Sequence, residues 1–175
     1  LSLGLGLING ASTNFFVDTL GLSGTQVLWL AGIREIPGLM LMFIAALMMH
    51  LPLARRAALS LALMGLGYAL YASVHSYAGV ITTSLIASLG FHNWMPLQSS
   101  LGLGLTRKEH SGRVMGSLSA VGALASILGM GLMTLLARTV PLRSFFAFGG
   151  LGIVLAALLV GRLPKNIGDT AKAKP

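Results

Sequence analysis

Three short stretches concentrate the side chains able to do chemistry. Residues 34–37 read Arg34-Glu35-Ile36-Pro37; residues 92–100 hold His92, Asn93, Trp94, Pro96, Gln98, Ser99 and Ser100; residues 9–14 hold Asn9, Ser12, Thr13 and Asn14. Recognition by charge and hydrogen bonding is open to these groups, and so is proton movement. Histidine is the side chain whose ordinary titration lies nearest neutrality, which makes His92 the titrating candidate; the bland reading is a packed, hydrogen-bonded histidine. Arg34 and Glu35 are neighbours and project about 100° apart on a helix, so each needs its own partner elsewhere. Two roles stay open for them, a structural clamp and a part in substrate binding or proton coupling. Hydrolytic chemistry lacks material. The acidic residues are Asp18, Glu35, Glu109 and Asp169, without a dyad, and there is no cysteine; neither a metal site nor a cofactor is expected, and the chain is not expected to be an enzyme.

The elements that must position these groups follow from composition. Of 175 residues, 55% are hydrophobic and only 9% charged, and the mean hydropathy is +0.84. A water-soluble domain carries about 25% charged residues to meet its solvent. The missing charge predicts a lipid-facing surface and an all-α membrane protein, because only helices and closed barrels satisfy their backbone in hydrocarbon. A span needs about 20 apolar residues. Six are predicted, over 1–16 (incomplete), 25–48, 57–74, 78–103, 114–137 and 144–161, forming a six-transmembrane-helix bundle over 1–163 followed by a cytoplasmic linker or tail over 164–175. The chain opens on Leu1 without a basic leader, so it is expected to be cut from a longer one. Pro37 and Pro96 cannot donate to the carbonyls of Ile33 and His92, which predicts kinks beside the polar groups.

Lysine and arginine set the orientation. Arg55, Arg56, Arg107, Lys108, Arg113, Arg162, Lys165, Lys172 and Lys174 fall on one side, Arg138 and Arg143 on the other. The side with nine is expected to be cytoplasmic, with both ends of the chain inside a cell membrane crossed several times. Tyr71, Tyr77, Phe145 and Phe146 then fall near the outer boundary, where aromatic rings commonly sit. The net charge of +8 resides in loops rather than on one folded face, so no nucleic acid partner is expected. Of the 23 glycines, many lie on helices. Small residues at Gly112, Gly116, Ser119, Ala123 and Ser126 predict a packing seam on the fifth span, and Ser2, Gly6, Asn9, Thr13 and Phe16 form a related stripe on the first.

Other motifs dissolve on inspection. Gly21-Leu22-Ser23-Gly24 matches the GxSG string of intramembrane rhomboid proteases, but the final span holds no histidine base, and Ser23 with Gly24 suits a turn opening the second helix. Gly4-x-Gly6 and Gly102-x-Gly104 follow no strand, so they are not dinucleotide loops.

The loops carry a family likeness. Residues 105–116, ending Gly112-Arg113-Val114-Met115-Gly116, resemble the junction between the fourth and fifth helices of major facilitator superfamily (MFS) transporters. Leu51-Pro52-Leu53-Ala54-Arg55-Arg56 resembles a shortened form of that family's basic motif between helices two and three, without its Asp and leading Gly. The antiporter pattern of helix five is incomplete, since 122–131 contain no proline. The resemblance implies a general-substrate-transporter-like half: six helices of a twelve-helix secondary transporter, the second half supplied by the same polypeptide. The amino-terminal half is favoured, with a carboxyl-terminal half as the alternative. The implied function is alternating-access movement of a small solute, with proton coupling as an option. The alternative is a six-helix scaffold or assembly subunit without transport. Asn9, Thr13, Arg34, Glu35, His92 and Gln98 are the candidates for solute binding or coupling, and Arg55, Arg56 and Arg113 for the cytoplasmic gate; the partners are the lipid bilayer and the solute.

Overall fold

The computed structural model describes residues 1–164, 166 and 167, so most of the expected linker or tail over 164–175 lies outside the described residues. Within them the chain is helical, without a strand. Helix α1 (Ser2–Asn14) runs into a π-helical turn, Phe15–Thr19; α2 (Gly24–Arg34), α3 (Ile36–Leu39) and α4 (Leu41–Met48) follow one another closely; then come α5 (Leu53–Leu70), α6 (Tyr77–Gly104), α7 (Ser111–Leu136) and α8 (Leu142–Gly161).

Local chemistry sets several boundaries. Gly21 turns the chain after the first helix with φ of 65°, a left-handed conformation that costs glycine nothing. Two residues later Ser23 opens α2 with a capping box: its hydroxyl accepts from the Gln26 amide at 3.3 Å, and the Gln26 side chain accepts from the Ser23 amide at 2.9 Å. This satisfies two of the amides that every helix start leaves free. The stretch expected as one span over 25–48 is broken at Glu35 and again at Met40, with a bend of 43° between Gly24–Leu39 and Leu41–Met48. Pro37 sits in the first turn of α3, where a missing N–H is tolerated. Pro96 does not interrupt its helix: α6 continues through it as one 28-residue helix.

Each of the six expected stretches is helical, but not each has the hallmarks of a span. Leu53–Ser73, Lys108–Leu136 and Leu142–Gly161 are long and apolar enough to cross a membrane, and the bent pair Gly24–Met48 makes a fourth if taken as one. Helix α6 has the length and lacks the apolarity, because Thr82, Thr83, Ser84, Ser88, His92, Asn93, Gln98, Ser99 and Ser100 all lie on it. Helix α1 is short, at 13 residues before its π turn.

Packing centres on α8. Gly149 faces α1 and Gly150 faces α5. A methyl group at Gly149 would lie 2.7 Å from the Gly4 carbonyl oxygen, and one at Gly150 would lie 2.5 Å from that of Gly65. Backbones thus touch directly, as small residues allow in membranes. Helix α6 closes on the other side of α5, with Gly67 against Ala87 and Gly90 against Ser60 and Met64. The seam expected on α7 is displaced: Gly112 and Gly116 face open space, while Gly122, Ser126, Gly129 and Met133 meet Ser2, Gly6, Leu3 and Gly10 of α1. Only the later part of α7 reaches its partner. The α1 stripe divides accordingly, Gly6 and Phe16 buried, Asn9 and Thr13 exposed.

Three of the four aromatics expected near the outer boundary are buried in the core. Tyr71, Phe145 and Phe146 pack with Phe15, Phe16 and Tyr68 in one cluster, Phe15 and Phe146 with ring centres 4.7 Å apart; Tyr77 donates its hydroxyl to the Gln26 carbonyl at 3.1 Å. Arg143 closes the same end. Its guanidinium donates to the carbonyls of Ala72 at 3.0 Å and Val74 at 2.5 Å, and lies 5.4 Å over the Phe15 ring. A cation in the first turn of a helix opposes that helix's dipole; here it serves the spent carbonyls after α5 instead.

Two stability outcomes follow. Gly150→Leu should cost about 3 kcal/mol, since the clash is with backbone and cannot be relieved by a rotamer, whereas Gly152→Ala, in open space, should shift stability by no more than about 1 kcal/mol. Arg143→Met should cost about 2 kcal/mol for two lost charge-assisted bonds, against about 0.5 kcal/mol or less for Arg138→Met, which is exposed. Denaturation of the full-length protein in detergent measures all four.

Candidate functional site

The break between α2 and α3 rearranges the hydrogen bonding around Arg34 and Glu35. In an unbroken helix the Arg34 carbonyl would accept from Gly38, but the Gly38 amide bonds to the Glu35 carbonyl at 2.9 Å instead. The Arg34 carbonyl is taken by the Ser88 hydroxyl of α6. Its guanidinium turns to α5, with Nη2 donating to the Tyr68 hydroxyl at 3.4 Å. Arg34 therefore ties three elements together and is half-buried.

Glu35 goes the other way. Its Oε2 lies 3.4 Å from Nε2 of His92 on α6, with the carboxylate side chain 72% exposed and the imidazole 18%. The contact is an ion pair when His92 carries its proton and a hydrogen bond or bare contact when it does not. Gly38 makes room for the ring: a methyl group there would lie 3.0 Å from Cε1 and Nδ1 of His92. The imidazole is thus wedged between α3 and α6, with one nitrogen toward the acid. This is the one pair of opposite charge within 4 Å among the described residues.

Beside the pair a groove of about 500 Å³ opens between α3–α4 and α6, lined by Gly38, Met42, Met48, Asn93 and Pro96 among others, and by Arg56 from α5. Asn93 is buried, its amide donating to the Leu89 carbonyl at 2.9 Å. Nε of Arg56 is buried without a hydrogen-bond partner in the structure. Mostly apolar walls with a few polar groups are the usual make-up of a small-molecule site.

The remaining candidates lie apart from this group. Asn9 and Thr13 are exposed on α1 and Gln98 is exposed on α6; none makes a side-chain hydrogen bond among the described residues. Arg55 is exposed at the start of α5, and Arg113 is exposed in the first turn of α7. No cluster of three or more histidine, aspartate or glutamate side chains that could hold a metal occurs among the described residues. Tyr68, Ser88 and Gly38 were not foreseen. Each sits in an apolar or small-residue stretch with nothing local to set it apart, and its role comes only from what the neighbouring helix brings to it.

Neither the curated proteins nor the solved structures yield a match to this chain. The family model of the Major Facilitator Superfamily matches residues 1–175. With a wholly helical fold and several helices apolar enough for a bilayer, the chain belongs to the Major Facilitator Superfamily, a family of membrane transporters.

Proposed function

We propose that this chain is one six-helix half of a twelve-helix secondary transporter, the amino-terminal half, which moves a small solute by alternating access around a site between the two halves. The observation that carries the reading is the Glu35–His92 contact at the break in the α2–α4 rod. An ionisable pair in a membrane segment is costly unless it faces protein or water, and Glu35 is too exposed to be mere internal packing. A scaffold without transport would instead seal Arg34, Glu35 and His92 within the bundle.

On this reading α1 with its π turn and α6 also cross the membrane. The 28 residues of α6 span about 42 Å at 1.5 Å per residue, and their polar groups suit a wall shared with a cavity rather than with lipid. Asn9 and Thr13 on α1 and Gln98 on α6 would complete that wall, open here because the second half would cover it. Arg55, Arg56, Arg107, Lys108 and Arg113 would lie on the cytoplasmic side of a cell membrane. A proton on His92 would tighten the tie between α3 and α6, and its loss would release the bent rod; Arg34, held by Tyr68 and Ser88, would stay as the fixed point.

In proteoliposomes, His92→Ala in the full-length protein should lower pH-driven uptake about tenfold while counterflow persists, and Glu35→Gln should act the same way. Unchanged uptake with an unchanged pH profile would remove the pair from the mechanism. Topology has its own check. In a background free of other reactive cysteines, Lys108→Cys should label only from the cytoplasm and Arg138→Cys only from outside; labelling of both from one side would sink the orientation.

A further inference from the structure

A second groove shares no lining residue with the first. It runs between α5 and α8 at the end of the molecule that carries Arg55 and Arg162, with a volume of about 530 Å³. Its floor is apolar: Ala58 and Ala62 on α5, Ala157 and Leu158 on α8. Gly161 forms the neck, since a methyl group on it would meet the Ala58 methyl at 3.4 Å. Arg55 and Arg162 both line the rim and both are exposed. Among the described residues no carboxylate lines the groove, and neither guanidinium has a hydrogen-bond or ion-pair partner.

The surroundings say which solvent the groove faces. Leu59, Leu63, Leu66 and Leu70 are exposed along α5, and Leu151, Leu155 and Leu158 along α8. These flanks carry no polar group comparable to those of α1 and α6, so they suit acyl chains rather than a solute path. From Arg55 to Ala62 the floor descends about 10 Å at 1.5 Å per residue, enough for the glycerol and the upper part of a chain below a headgroup. The first turn of α5 adds to the rim. Pro52 provides no side-chain cap; its carbonyl accepts from the amides of Arg55 and Arg56, so among the described residues only the amides of Leu53 and Ala54 at the start of α5 are left without an acceptor.

We propose that this groove is a site for one anionic phospholipid, its phosphate held between Arg55 and Arg162 and one acyl chain laid over Ala58, Ala62 and Ala157. Arginine suits the task because its planar fork meets phosphate oxygens in pairs. Paired cations at the headgroup level select anionic over zwitterionic lipid, and basic pockets between transmembrane helices are where such headgroups bind.

The test uses the full-length protein in detergent, with dioleoyl phosphatidylglycerol or dioleoyl phosphatidylcholine added and bound lipid counted by native mass spectrometry. Phosphatidylglycerol should be retained about tenfold more than phosphatidylcholine. The double variant Arg55→Gln/Arg162→Gln should lose that preference while melting as wild type without lipid, and Ala62→Phe, which fills the floor, should lower retention of phosphatidylglycerol with both arginines intact. Arg138→Gln, at the other end, should change nothing. Equal retention of the two lipids overturns the proposal, as does a double variant that binds like wild type. So does displacement of phosphatidylglycerol by millimolar inorganic phosphate, which would mark a free-anion site, or a protein dimer, broken by Ala62→Phe, that excludes lipid.

Discussion

Two consecutive glycines, Gly149 and Gly150, let one helix seat two others. Being adjacent, they point about 100° apart around α8, and each meets a carbonyl of a different neighbour, that of Gly4 on α1 and that of Gly65 on α5. The bundle has no water-driven collapse to hold it in a bilayer; its helices are held by close contact and by hydrogen bonds between them. Removing the side chains at this crossing brings α1 and α5 to the same axis. Everything else is arranged from there: α6 closes on α5 through Gly67 and Gly90, and α7 closes on α1 through Gly122 and Gly129.

The α2–α4 rod is the exception to this tight order. It is broken twice, and it is tied to α6 through a hydroxyl on a carbonyl and an acid near an imidazole, and to α5 through an arginine on a tyrosine. Backbone groups freed at a helix break have to be satisfied by neighbours, and Ser88 does this for Arg34. Glycine contacts are rigid because they have no other arrangement. The α2–α4 rod is instead joined to its neighbours by side-chain contacts.

Much of this was legible in the residues. Apolar run length and loop residues located every helical stretch, and the string Gly21 to Gly24 marked the start of α2 correctly. The adjacency of Arg34 and Glu35 implied separate partners, and they have them. Other features were hidden for physical reasons. A stripe of small residues announces that a helix can be approached but not how far along, which is why Gly112 and Gly116 stand in open space. Aromatic residues near a loop suit an interface or a core equally well, and the crossing at Gly149 drew Phe145 and Phe146 inward. Pro96 removes one hydrogen bond without ending α6, whereas Pro37 follows a break two residues earlier. Nothing in the spacing distinguishes the two.

The order of elements has a bearing on how the bundle assembles. Helix α1 rests on α7 and α8, the last two helices of this stretch, whereas α5 finds its partner α6 immediately after it is made. Contacts between segments so distant in the chain come late, because the intervening chain must first be brought together. The first helix of this stretch to leave the ribosome is therefore the last to be enclosed. Until α7 forms, Gly6 and Gly10 lack the surface they pack on, and Gly4 waits longer still, for Gly149 of α8.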